Sequence, residues 1–313
     1  MASSSSSPWE RWRFALKLAS WPKLLVPALV GQAIGVDRTG HIDLLGLAFG
    51  MCFVLAFVAY VVLLNDWGDR DVDTIKRSMF PGSSQKTIPD GVLRARMLLL
   101  SGLLAGLASL AVAGLGGWAL DRPLLPLLAL VALAIFWAYT LPPVRLNYRG
   151  GGELLEALGV GLVLPILSTY AQCGSLFAPS SSVLYGLAPL ALSSALASGL
   201  SDERSDAKGG KRTFTTMLGN PPTRALVELF AMLGIAVWIG QAIFAEHGPA
   251  RPVLLFAAAP QLSRLLDLRA ASAAAVTDAF DAQRVYKEHL HGIVWGGGLA
   301  LALAMTVAPL LGL

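Results

Sequence analysis

Residues 54–73 read VLAFVAYVVLLNDWGDRDVD, eleven apolar residues followed without a break by Asn65, Asp66, Asp69, Asp71 and Asp73. The apolar run asks for a non-aqueous environment and the aspartates for a polar one. The junction therefore reads as the point where a helix leaves hydrocarbon, because a carboxylate at the bilayer centre costs about 2.5–3.5 kcal/mol on insertion scales. On a helix Asn65, Asp69 and Asp73 recur every four residues and Asp66 lies three before Asp69, so their oxygens share one face. Like charges at that spacing repel and call for cations nearby. Carboxylate oxygens joined by phosphate oxygens are what Mg²⁺ prefers.

The rest of the chain extends this pattern. Hydrophobic residues are 55% of the 313 and charged residues 14%, with a mean hydropathy of +0.62; soluble domains carry about 25% charge. This composition argues against a water-soluble enzyme, a disordered chain or a disulfide scaffold. One polytopic membrane domain spanning residues 1–313 is expected. Cys52 and Cys173 each lie inside an apolar run and read as small buried hydrophobes, so neither a cysteine zinc site nor a structural disulfide is expected. His41, His247, His289 and His291 are too scattered to form a ligand set.

A crossing helix needs about 20 mostly apolar residues. Nine stretches qualify: 18–36, 43–64, 93–118, 124–142, 154–173, 183–200, 224–245, 252–270 and 290–311. The first is interrupted by Lys23, and the end of the eighth is crowded by Pro260, Arg264, Asp267 and Arg269. With the N-terminus inside, Arg38, Arg122 and Arg251 are the only cations in outside connections, and the other 21 of the 24 lie on the inner side. Short cytoplasmic loops hold the excess of Lys and Arg. The inside connections 65–92, 143–153, 201–223 and 271–289 are long and the outside ones short, which places function on the cytoplasmic face. The net charge of +4 reflects this one-sided spread, and no nucleic-acid partner is expected. The opening MASSSSSPWERWRF lacks a short apolar core before a small-residue cleavage site, so residues 1–14 are expected to form a short cytoplasmic tail.

The third long inside connection repeats the design of the first. It reads SDERSDAKGGKRT from Ser201 to Thr213, with Asp202 and Asp206 one helical turn apart and Lys211 and Arg212 following. Two acidic faces on different helices can hold divalent ions between them as a clamp on a diphosphate, with Lys211 and Arg212 as anion-binding side chains.

These motifs resemble those of the UbiA-type intramembrane prenyltransferases. N-D-x-x-D-x-x-x-D is met by Asn65, Asp66, Asp69 and Asp73, and D-x-x-x-D with a following G-x-x-T by Asp202, Asp206, Gly210 and Thr213. Trp21-Pro22-Lys23, the run YTLPPVRL at 139–146, Gly150 to Glu153, and Pro165 extend the resemblance over nearly the whole chain, most like the dihydroxynaphthoate prenyltransferases of menaquinone synthesis. Two positions depart from the family pattern. Lys86, in Lys86-Thr87-Ile88-Pro89-Asp90-Gly91, stands where an arginine is usual. Tyr139 is followed four residues later by Pro143 rather than lysine, with Arg145 the nearest cation.

The resemblance implies an all-α fold of about nine transmembrane helices around a central cavity, capped on the cytoplasmic side by the motif loops, in a bacterial inner membrane or its organellar equivalent. It also implies Mg²⁺ held by Asp66, Asp69, Asp73, Asp202 and Asp206. An allylic isoprenyl diphosphate would be bound with help from Asn65, Lys86, Tyr139, Arg145, Lys211 and Arg212, and its isoprenyl group passed to an aromatic quinone precursor such as 1,4-dihydroxy-2-naphthoate. Embedding such a site keeps water from the carbocation. Asn65 is expected to ligate metal through water or to orient Asp69. Glu153 and Glu156 open the fifth stretch and are candidates for binding the acceptor, although acidic residues at a helix start are ordinary. An intramembrane terpene cyclase would use the same fold. An ion-coupled transporter would instead need acidic residues near mid-span and internal repeats.

Overall fold

The computed structural model describes residues 7–246 and 248–311; the first six residues of the expected tail and His247 lie outside the described residues. Each expected stretch falls in a helix: α1 (Pro22–Thr39), α2 (Leu44–Gly68), α3 (Ala95–Ala119), α4 (Leu125–Thr140), α5 (Gly152–Cys173), α6 (Pro179–Ser201), α7 (Asn220–Phe244), α8 (Arg251–Ser272) and α9 (Phe280–Leu310). No strand occurs among the described residues.

Six of these, α2, α3, α5, α6, α7 and α9, are long and apolar enough to cross a membrane unaided, which makes the chain an integral multi-pass membrane protein. The other three differ for physical reasons. α1 qualifies only together with the preceding Pro8–Ser20, from which it is bent by 57°. α4 is apolar but has 16 residues, about 24 Å of rise against a hydrocarbon core of about 30 Å. α8 carries Arg264, Asp267 and Arg269 in its last three turns.

The helices approach each other through small residues. A Cβ on Gly31 of α1 would stand 2.1 Å from the Pro165 carbonyl oxygen of α5, and one on Gly234 of α7 would stand 2.7 Å from the Gly186 carbonyl oxygen of α6. Such contacts let backbones meet where lipid offers no hydrophobic drive to bring helices together. Leu104, Leu107, Leu127 and Leu266 point outward and are exposed, an apolar exterior suited to lipid.

At one end of the bundle the chain leaves the long helices for short ones, Arg70–Met79 after α2 and Glu203–Lys208 and Phe214–Leu218 after α6. The first two are in direct contact, since a Cβ on Gly209 would lie 2.5 Å from Val72 Cγ2. The N-terminal helix Pro8–Ala15, capped by Ser7 and Glu10, packs Ala15 with Leu63, Leu93 and Leu98 at the same end. α5 and α9 are each widened by a π-bulge, at Gly159–Val163 and Gly292–Gly296.

Candidate active site

Both aspartate motifs straddle a break in a helix. α2 stops at Gly68, Asp69 adopts φ −95° and ψ 3°, and helix resumes at Arg70. The spacing survives the break because the Asp69 N–H donates to the Asn65 carbonyl (2.9 Å) and the Asp73 N–H to the Asp69 carbonyl (2.8 Å). α6 ends at Ser201 and Asp202 opens the next short helix, with the Asp206 N–H donating to the Asp202 carbonyl at 2.7 Å. A break at the same point of each motif turns the carboxylates off the helix flank and toward the space between α2 and α6.

Lysines from four segments meet these carboxylates. Lys17, ahead of α1, pairs with Asp66, whose other oxygen accepts from Thr87 Oγ1 at 2.6 Å. Lys86 Nζ lies 2.6 Å from Asp73 and Lys211 Nζ lies 2.9 Å from Asp69 and 3.7 Å from Asp206. Lys76 pairs with Asp202 and donates to the Ser201 carbonyl at 2.9 Å, tying the first short helix to the second motif. Asn65 Nδ2 donates to Asp69 Oδ2 at 3.3 Å, so it orients that carboxylate.

The electrostatics follow from burial and crowding. Burial raises the Asp206 carboxyl well above the usual carboxylate range, against the lowering effect of Lys211 and with Asp202 and Asp69 adding to the rise. Burial would raise Asp202 too, but Lys76 and Lys86 hold it low. Burial also raises Asp73 despite Lys86. Burial works against the Lys211 ammonium, yet Asp69 and Asp206 keep it protonated.

Asp66, Asp69, Asp202, Asp206, Asn65 and Lys211 line one cavity of about 290 Å³. Part of its wall is apolar and aromatic. Phe57, Phe136 and Tyr139 face it, in a series where Tyr60 and Phe136 meet edge to face at 5.2 Å and Phe136 stacks on Tyr139 at 6.2 Å. Gly159 and Val160 of the α5 bulge also reach its wall. A second cavity of about 550 Å³, with Lys287, His291 and Trp295 on its wall, shares Ser20, Lys23, Ser198 and Asp202 with the first.

Not every expected residue comes to the cavity. Asp73 and Lys86 form their pair just beyond its wall. Arg145 donates to the Gly68 carbonyl at 2.7 Å and stacks over the Tyr148 ring at 3.5 Å, which satisfies the carbonyl end of α2. Arg212 is exposed and off the wall. Conversely Lys17, Lys23, Lys76 and Asn147 were not singled out for this site by the motifs, although all but Lys76 line the cavity, as do Glu153 and Glu156, which the sequence offered as acceptor candidates. The WPK and Gly150–Glu153 segments were the available sequence cues for Lys23 and Glu153.

Among the described residues no three His, Cys, Asp or Glu side chains stand close enough to hold a metal as they lie, because each motif aspartate is turned to a lysine. The donor chemistry nevertheless fits a hard divalent cation, since Asp66, Asp69, Asp202 and Asp206 offer only carboxylate oxygens around one space. With such a cation held by these carboxylates, the Lys17 and Lys211 ammonium groups would be free to bind an anion.

Comparison with known proteins places this arrangement. The pattern of the UbiA prenyltransferase family matches residues 24–283. The chain is 28% identical to the 2-carboxy-1,4-naphthoquinone phytyltransferase of Synechocystis over 82% of its length and 81% of that relative. It is 26% identical to the chloroplastic chlorophyll synthase of Oryza sativa over 48% of its length, and spans only 41% of that protein. The structure of a UbiA homolog from Archaeoglobus fulgidus bound to GPP and Mg²⁺ superposes with a TM-score of 0.69 at 18% identity, covering 95% of this chain and 99% of that one.

Proposed function

This chain belongs to the UbiA prenyltransferase family, and we propose that it transfers an isoprenyl group from an allylic isoprenyl diphosphate to an aromatic acceptor, a quinone precursor such as 1,4-dihydroxy-2-naphthoate. One observation carries the reading. Four motif aspartates and Lys211 line the same cavity as Phe57, Phe136 and Tyr139. We further propose one domain over residues 1–313, nine crossings counting α1, α4 and α8, and a cytoplasmic cap formed by the short motif helices. The one-sided distribution of cations supports that orientation.

Mg²⁺ held by Asp66, Asp69, Asp202 and Asp206, with Asp73 beside them, would supply Lewis-acid neutralisation of the diphosphate. The chain's own groups do the rest. Lys17 and Lys211, the two cavity-lining members of the four lysines paired with motif aspartates, hold the departing diphosphate by charge-assisted hydrogen bonds once released from the carboxylates, with Lys76 and Lys86 adding positive charge from outside the wall. The faces of Phe57, Phe136 and Tyr139 meet the positive charge developing on the allyl group, worth about 0.5–2 kcal/mol per well-placed ring. The apolar walls exclude the water that would otherwise capture it. The test is Mg²⁺-dependent diphosphate release from a long-chain isoprenyl diphosphate by the protein in detergent, with and without dihydroxynaphthoate. Release requiring both metal and acceptor supports transfer. Release without acceptor identifies cyclisation or hydrolysis, and no release with any of several aromatic acceptors rejects the reading.

A further inference from the structure

The cavity has a second polar wall that diphosphate binding does not use. Asn147 is 3% exposed and Glu153 is 6% exposed, and both line the cavity. Glu153 Oε1 accepts a hydrogen bond from the Phe214 N–H at 2.7 Å, which fixes the carboxylate between the start of α5 and the chain after the second motif. Its Oε2 has no partner among the described residues, and neither do Asn147 Oδ1 and Nδ2. Roughly nine in ten buried polar groups are paired, and a bare carboxylate oxygen in an apolar enclosure is costly. Three unmet buried atoms, on two residues that line the same cavity, mark the place of a polar ligand. Glu156, the neighbouring acid, is already paired with Lys23.

Charge decides which ligand. A carboxylate repels diphosphate, so Glu153 does not serve the donor substrate. It selects a group that can give a hydrogen bond, and the Asn147 amide can serve a second oxygen as donor or acceptor. Resting on the function proposed above, we propose that Glu153 and Asn147 form the acceptor site for a ring-hydroxylated aromatic, with Glu153 Oε2 receiving the hydroxyl proton. As that O–H bond breaks, its electron pair passes into the ring. The ring carbon beside it forms a bond to C1 of the allyl group, and the C1–O bond breaks with its electrons leaving on the diphosphate. The substituted carbon then loses a proton to the diphosphate, or carbon dioxide where it bears a carboxylate. Glu153 returns its proton to the oxygen.

The experiment uses the full-length protein in detergent and a series of hydroxylated aromatic acceptors whose hydroxyl pKa runs from near 10 to below the assay pH. Glu153→Gln keeps an oxygen for the Phe214 N–H but removes the base. Its kcat is expected to fall by about 10²–10⁴-fold with weakly acidic acceptors and by less than about tenfold with acceptors already ionised, while the KM for isoprenyl diphosphate stays unchanged. Asn147→Leu is expected to raise the acceptor KM by about tenfold or more without moving the isoprenyl diphosphate KM. An equal loss across the whole series, or no loss in either variant while the wild type transfers, overturns the acceptor site alone. A wild type that transfers to no hydroxylated aromatic overturns both this inference and the function on which it rests.

Discussion

The two ends of α2 meet the same difficulty, an aspartate at the rim of an apolar helix, with opposite solutions. At its start Asp43 Oδ1 accepts from the Leu45 and Gly46 N–H groups at 3.1 Å each, and Oδ2 accepts from Arg122 at 2.6 Å. Arg122 also donates to the Ala171 and Gln172 carbonyls that close α5. The helix dipole favours an acid at this end, and the planar guanidinium fork fixes three partners at once. At its finish Asn65, Asp66 and Asp69 sit where the dipole disfavours them, held by ammonium groups on flexible stems from Lys17 and Lys211. The first end is built to stay as it is. The second holds its acids by ion pairs from flexible side chains, which is what the exchange of partners proposed above requires.

The strongest challenge to that contrast is Asp69→Asn or Asp206→Asn. Either is expected to lower acceptor-dependent diphosphate release by about 10²–10³-fold while leaving thermal stability in detergent unchanged or raised, because like charges are relieved. A clear loss of stability would mean that the cluster is structural. The mirror experiment is Arg122→Ala, expected to cost about 3 kcal/mol of stability by stranding Asp43 and two carbonyls with the turnover of the folded protein intact; thermal unfolding beside the same release assay reads both.

Exchangeability itself is tested by Lys211→Arg, which preserves charge but replaces a rotatable point donor with a rigid fork. A loss of roughly tenfold in turnover is expected, with the melting temperature unmoved. Asp43→Asn has the smallest effect, about 0.5–1 kcal/mol near pH 7, since asparagine also caps. Burial opposes it, yet the bonds from Gly46 and Arg122 hold the Asp43 carboxyl below its ordinary value. Its contribution is therefore present above the unfolded value of about 3.9 and lost as pH falls through the folded one. The gap between wild type and Asp43→Asn should be constant above about pH 5 and narrow progressively as the pH falls below about 3.9, as followed by thermal melts.

The helix positions and the paired motifs were legible because their causes are local. Apolar runs of 20 residues have one low-energy form in lipid, and Asn65, Asp69 and Asp73 keep their four-residue spacing even across the break at Asp69. The pairing of those acids was not legible. Lys17 and Asp66 are 49 positions apart and Lys76 and Asp202 are 126 apart, and nothing in either neighbourhood distinguishes a lysine that reaches an aspartate from one that reaches water. Arg145 illustrates the same limit, for the motif comparison made it an anion ligand and packing sent it to the Gly68 carbonyl.

What the sequence determined by itself is that this is a helical membrane protein with acid-rich chemistry at one end of its helices, because hydropathy, charge asymmetry and i, i+4 spacing act over at most a few turns. What only the tertiary structure decided is which groups share the cavity. In the sequence Glu153 was open between an ordinary acid at a helix start and an acceptor ligand; in the structure it is a cavity-lining residue with one oxygen bound to the Phe214 N–H, 61 positions away, and the other buried without a partner. Burial and hydrogen-bond satisfaction are properties of the packed chain, set by helices meeting far apart in sequence, and a one-dimensional pattern does not contain them.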